Sequence, residues 1–264
     1  MLPPSGEPRG ADPRLAELPA EVQVYLDAVS AEVQAAFEDD LLGVWLIGSA
    51  AQWAYEPGTS DLDVLAVTGS RHPESLRRTL GERVRHPALE CPAVGLEFVV
   101  YARPDVVDLA DPVRFALNVN GGRSRDDLLA LGPDDGPGWW AVLDLAAARV
   151  VGVPLHGPAP DVVIPAVPAA RLRAAVAESQ AWHDRDDATS TNRALNIARL
   201  IVLLTDGRWL SKSAGATALA DAEPDLAPTL NAALAARATG APLDPNLAAP
   251  LSARLAVLLR ESAS

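Results

Sequence analysis

A chain of 264 residues, 49% hydrophobic and 22% charged, is long enough for two modest domains and has neither the charge excess nor the apolar poverty of a disordered chain. Its formal charge of -13 argues against nonspecific binding to nucleic acid, whose phosphates reward basic surfaces, and would draw in a cationic small molecule. One cysteine, Cys91, excludes an internal disulfide, and the four histidines, His72, His86, His156 and His183, lack zinc spacing.

The first residues, rich in Pro and Gly, read as a disordered tail over 1–14. They lack the apolar core of a signal peptide, and no apolar run approaches the roughly 20 residues that span a bilayer. A cytoplasmic protein with no membrane partner is expected. Pro19 starts a helix with Val22, Leu26, Val29, Val33 and Phe37 at helical spacing. A first strand is expected from Leu42 to Ile47, ending at Gly48-Ser49, and a second from Leu62 to Thr68. A charged helix follows from Glu74 to Arg85. A third strand, Leu96 to Tyr101, alternates Leu96, Phe98 and Val100 with Glu97, Val99 and Tyr101. The stretch after it reads as helical or irregular, broken by Gly121-Gly122 and by the turn-rich GPDDGPG at 132–138.

Residues 139–151 are helical in pattern, and the proline-punctuated stretch 153–168 reads as a connector. Beyond it, Ala, Leu and Arg predict helices near 169–184, 191–206, 211–220, 225–238 and 248–261. Strands mixed with helices, then helices alone, predict an α+β fold: a mixed β-sheet domain with flanking helices over 15–160, and an all-α helical bundle over 161–264.

Asp61 and Asp63 open the apolar run SDLDVLAV. At i and i+2 on a strand, their carboxylates project from one face beside residues that want burial. Two ionised carboxylates there need a compensating charge, and Mg²⁺ suits, since it takes one or two carboxylates plus water and phosphate oxygens. A polar turn at the strand start accounts for Asp61 but poorly for Asp63, which Leu62 and Val64 flank. Gly48-Ser49 after a strand can offer backbone N–H groups to phosphate, although most such pairs are only turns. Glu97 lies inside GLEFVVYA, either on the solvent face of an edge strand or, if the third strand adjoins the second, on the aspartates' face. Three carboxylates around a magnesium-bound triphosphate suit phosphoryl or nucleotidyl transfer.

The segment LIGSAAQWAYEPGTSDLDVLAVT (46–68) resembles the GS...SD.D signature of the DNA polymerase β-like nucleotidyltransferases, and among them the streptomycin and spectinomycin adenylyltransferases. The likeness extends to LEFVVYARPDV (96–106), LHGPAPDVVIPAVP (155–168) and TNRALNIARLIVLLTDGRWLSKSAGATAL (191–219). It implies that Gly48, Ser49 and Ser60 contact the triphosphate of ATP, that Asp61 and Asp63 hold Mg²⁺, and that Glu97 is the general base. Arg199 and Lys212 would reach phosphates from a helical domain closing over ATP. Read without the family, Arg199 is equally a snorkelling side chain and Lys212 ordinary surface.

The implied function is transfer of AMP from ATP to a hydroxyl of a small cationic acceptor, an aminoglycoside such as streptomycin or spectinomycin, with release of pyrophosphate, by a monomer. The alternatives are the same chemistry on another natural product or a protein side chain, and a noncatalytic nucleotide-binding or antitoxin-like module. Trp53 stands where relatives commonly have glycine, and residues 121–122 and 184–191 depart from the family's acceptor-holding pattern. Asp184, Asp186 and Asp187 either face a cationic acceptor or form a solvated loop.

Overall fold

The computed structural model describes residues 12–110, 112–122, 125–132, 138–186 and 189–261, with the side chains of Arg125 and Asp126 also outside the description. The first eleven residues of the expected tail, most of the turn-rich stretch at 132–138, and Asp187 lie outside these residues. Asp12, by contrast, caps a short 3-10 helix, Pro13–Glu17, by accepting from the Arg14 N–H, so ordered chain starts before the tail's expected end at 14. The chain divides into two compact units, one ending at Val167 and the other starting at Pro168.

The first unit is built on six strands, β1 (Leu41–Ile47), β2 (Leu62–Thr68), β3 (Leu96–Ala102), β4 (Leu117–Gly122), β5 (Arg125–Ala130) and β6 (Val153–His156), ordered β5-β4-β3-β2-β1-β6. Only β2 and β3 pair in parallel; the other neighbours are antiparallel. Five helices join them: α1 (Ala20–Phe37), α2 (Gly48–Ala51), α3 (Glu74–Val84), α4 (Arg103–Asp108) and α5 (Trp139–Val151), with a further turn, α6 (Pro160–Val163).

Strand alternation splits the core in two. Val44 and Leu46, Leu62, Val64 and Ala66, Phe98 and Val100, and Leu117 and Val119 form one buried cluster with Val22, Leu26, Val29 and Val33 of α1 and Leu80 and Val84 of α3. At roughly 1.5–3 kcal/mol for each large side chain fully buried, this face carries most of the unit's hydrophobic stabilisation. The intervening residues, among them Trp45, Leu65, Val67, Val99 and Tyr101, are buried on the opposite face. There α5 packs on β1, and the Trp45 indole N–H donates to the Pro158 carbonyl at 2.9 Å.

The stretch after Tyr101, expected to be helical or irregular, opens with the helix α4 but then forms the β4–β5 hairpin, which was not expected. Arg77 on α3 fixes the hairpin, donating to the carbonyls of Ala116 and Leu131. The expected connector likewise contains a strand: β6 carries Pro154, which the ladder tolerates because β6 is an edge.

The second unit consists of α7 (Ala169–Asp186), α8 (Thr191–Asp206), α9 (Lys212–Ala222), α10 (Ala227–Thr239) and α11 (Ala249–Glu261). The central helix is α8, in contact with all four others and buried from Arg193 through Leu203 except at Arg199. Ser190 caps its start and Gly207, in the left-handed region, ends it. No helix among the described residues is long and apolar enough to cross a membrane.

Candidate active site

Parallel pairing of β2 with β3 sets Asp63 directly beside Glu97, and the register holds from Leu62↔Leu96 to Thr68↔Ala102. Asp61, Asp63 and Glu97 are each partly buried, and one carboxylate oxygen from each lies within 4.8 Å of the others. Since β3 lies between β2 and β4, Glu97 is not on an edge strand, which removes its solvent-facing reading.

The Gly48-Ser49 turn is built against this cluster. Gly48 has φ +65, and a Cβ there would stand 1.8 Å from Asp63 Oδ2. Glycine is therefore required twice, for its left-handed backbone and for the carboxylate that occupies the place of its side chain. Ser49 follows in α2, and its Oγ is buried without a hydrogen-bond partner among the described residues. A buried hydroxyl left unpaired costs about 1–3 kcal/mol, which a phosphate oxygen accepting from it would recover. Ser60, buried, accepts the Glu56 N–H at 3.0 Å through its own Oγ, so its hydroxyl hydrogen remains available to donate.

The donor set fits magnesium. Three carboxylates contributing single oxygens within 4.8 Å approach the roughly 4 Å that separates oxygens across a Mg²⁺ shell with 2.0–2.1 Å bonds. The buried hydroxyl of Ser49, next in the chain to Gly48, suits the phosphates that Mg²⁺ usually retains.

Residues 52–60 join the two halves of the site. Ala54 N–H donates to the Ser49 carbonyl at 3.0 Å, and Ser60 N–H donates to the Glu56 carbonyl at 2.9 Å. Trp53 lies in this loop with φ 57, a left-handed conformation that glycine adopts without strain. An ordinary side chain there costs roughly 1–2 kcal/mol. Trp53 packs against the core, and the Arg14 guanidinium lies 4.5 Å over its ring, a cation–π contact that offsets part of the cost.

In the second unit, Arg199 lies on α8 and Lys212 is the first residue of α9, capped by Ser211. The two helices meet closely: a Cβ on Gly215 would stand 2.8 Å from Arg199 Cβ and 2.9 Å from its Cα. Lys212 Nζ donates to Asn192 Oδ1 at 3.0 Å. Asn192 and Arg199, seven residues apart, share one face of α8, so both cations are held on the α8–α9 contact.

The acidic segment is engaged within the fold. Asp184 Oδ1 accepts from Arg193 Nε at 2.7 Å, while Arg193 Nη1 donates to the Pro245 carbonyl at 3.0 Å. Asp186 pairs with its neighbour Arg185. Asp184 thus pairs with a buried arginine of α8 while remaining exposed itself.

Sequence reading missed the polar residues of β4. Asn120 pairs directly with Glu97 and Asn118 with Val99, which puts both amides on the face that carries Asp63 and Glu97. The signal was the alternation Leu117, Asn118, Val119, Asn120, with the apolar pair buried and the amides partly exposed.

Residues 162–257 match the family model described as aminoglycoside adenylyltransferase, C-terminal domain. The fold is similar to the crystal structure of spectinomycin adenyltransferase AAD(9) from Enterococcus faecialis, solved with ATP and spectinomycin, at a TM-score of 0.66 and 17% identity, covering 88% of this chain and 98% of that one. No curated protein sequence matches. Over 162–257 the chain is thus similar to the C-terminal domain of the aminoglycoside adenylyltransferases, and its fold is similar to that of the spectinomycin adenyltransferase.

Proposed function

We propose that this protein transfers the AMP moiety of ATP to a hydroxyl of an aminoglycoside-type acceptor in a Mg²⁺-dependent reaction that releases pyrophosphate. The observation that carries the reading is the convergence of Asp61, Asp63 and Glu97 within 4.8 Å beside the buried hydroxyl of Ser49, partnerless among the described residues. The domain match over 162–257 and the ATP and spectinomycin of the structural relative favour nucleotide and acceptor of these classes.

In this reading Asp61 and Asp63 hold Mg²⁺, which when bound offsets the charge that develops on the phosphates. Ser49 and Ser60 donate their hydroxyl hydrogens to the triphosphate, and Gly48 lets it approach the backbone. Arg199 and Lys212 add positive charge to the phosphates from the helical unit. Glu97 accepts the proton of the acceptor hydroxyl as that oxygen bonds to the α-phosphorus, while the bond from the α-phosphorus to the bridging oxygen breaks and pyrophosphate departs.

The test is pyrophosphate release from Mg-ATP with a panel containing spectinomycin and streptomycin, against an Asp61→Ala, Asp63→Ala control. Release above the control with at least one acceptor supports the function. Release no greater than the control with every acceptor overturns the aminoglycoside assignment, and failure to bind ATP overturns nucleotidyl transfer itself.

A further inference from the structure

Five strands place one residue each on a single row across the sheet: Ile47, Asp63, Glu97, Asn120 and Leu128. Directly opposed residues on neighbouring antiparallel strands have Cβ atoms about 4.5–5.5 Å apart on a common face. The carboxylates occupy the middle of the row, and the row then continues beyond Glu97 into an amide and an aliphatic side chain.

Asn120 is partly exposed, and its side chain makes no hydrogen bond to the described residues. Leu128 is 40% exposed, one of few large apolar side chains so open. An exposed leucine beside a polar catalytic cluster gains nothing in the free protein and gains burial when a ligand covers it. Asn118, one step along the same face of β4, adds a second, partly exposed amide, and Ala130 opposite it is buried.

The charge of this surface is informative. Among the described side chains, those that β4 and β5 present on the Asn120 face are Asn118, Asn120, Leu128 and Ala130, none of them ionisable. The acid Asp127 lies on the other side: its Oδ1 is 2.0 Å from the position of a Cβ on Gly121, and Gly121 points opposite to Asn120. The described part of this face presents amides, which both donate to and accept from hydroxyls, and aliphatic area suited to C–H edges.

We propose that Asn120 and Leu128 form the part of the acceptor site that holds the ring bearing the reacting hydroxyl. The Asn120 amide hydrogen-bonds a hydroxyl adjacent to the one presented to Glu97, and Leu128 covers the ring's C–H face. The ligand class is a polyhydroxylated ring, a sugar or cyclitol, recognised here through its hydroxyls. This inference rests on the acceptor-transfer reading of the Glu97 site.

Calorimetric titration of spectinomycin and of streptomycin into the protein loaded with Mg²⁺ and the α,β-methylene analogue of ATP tests it without turnover. Asn120→Ala and Leu128→Ser should each weaken binding of at least one probe about 3- to 10-fold, the reach of one hydrogen bond or one covered side chain, with the analogue's affinity and the Tm little changed. Probe affinity equal to wild type in both variants overturns the proposal. So does a wild-type protein that binds the analogue but neither probe. A wild-type protein that fails to bind the analogue refutes nucleotidyl transfer itself, an outcome distinct from both.

Discussion

Asp63 Oδ2 lies 1.8 Å from the point a Cβ on Gly48 would occupy, so the glycine that turns the chain out of β1 and the carboxylate that opens β2 fill one another's space. The Gly48-Ser49 turn and the carboxylate cluster are thereby one packed object. The Ile47↔Asp63 register of the β1–β2 pair holds them together.

Gly48→Ala should therefore damage the site and the fold together. The left-handed backbone alone costs roughly 1–2 kcal/mol for alanine, and the methyl must displace Asp63. A Tm lowered by several degrees with pyrophosphate release reduced at least about tenfold is the expected outcome. A variant with wild-type turnover would show that the position of Asp63 is immaterial.

Glu97→Gln keeps the shape of the side chain but not its basicity. ATP affinity measured by calorimetry should persist, while single-turnover transfer slows by about 10²- to 10⁴-fold. Unaltered transfer would remove Glu97 from the proton-accepting role.

Lys212 is oriented by Asn192, whose Oδ1 receives its ammonium at 3.0 Å. Lys212→Ala should raise the KM for ATP while leaving the affinity for acceptor nearly unchanged. Asn192→Ala should shift the same parameter less, because it loosens the ammonium without removing it. An ATP affinity indifferent to Lys212 would place the phosphate contacts elsewhere.

Gly215 is the point at which α9 touches α8 beneath Arg199. Gly215→Val brings side-chain atoms to within 2.8 Å of Arg199 Cβ and should force the helices apart, at about 1–3 kcal/mol for overpacking. Thermal unfolding of the variant reads the loss. An unchanged Tm would mean that this helix pair slides without cost.

Asp40, at the far end of β1, shows how pH acts on stability away from the site. Burial raises its pKa, but hydrogen bonds from the Ser70 hydroxyl, from His72 Nε2 and from the Ser70 N–H outweigh that and hold it below the usual carboxylate value. A lowered folded pKa gives stability that is present above the unfolded value of about 3.9 and lost as pH falls through the folded one. Denaturant titration of Asp40→Asn should show lower stability near neutrality and a shallower loss below about pH 4. Identical pH dependence in both proteins would assign Asp40 no such part.

The elements legible in the chain were those with a local period. The apolar runs of β1, β2 and β3 and the helical spacing of α1 declare themselves without reference to the rest of the molecule, and their observed limits lie within a residue or so of expectation. The β4–β5 hairpin did not. Its sequence LNVNGG pairs two apolar residues with asparagines and glycines that disfavour isolated strands, and only contact with β3 and the anchoring arginine Arg77 make it one. The Asp184–Arg193 pair was not legible for a similar reason: Arg193 comes from the next helix, and an ion pair between helices leaves no spacing to read.

The sequence by itself determined that Asp61 and Asp63 share a face at the head of a buried strand, because the two-residue period of a β-strand is a property of the backbone. It likewise determined the succession of a mixed sheet and a helical bundle. Only the tertiary structure decided that Glu97 stands beside Asp63, that Asn120 stands beside Glu97, and that Gly48 must lack a side chain to admit a carboxylate. Those relations depend on which strands pair and in what register, and pairing is fixed by the burial of one whole face of the sheet against α1 and α3 rather than by any residue's neighbours in the chain.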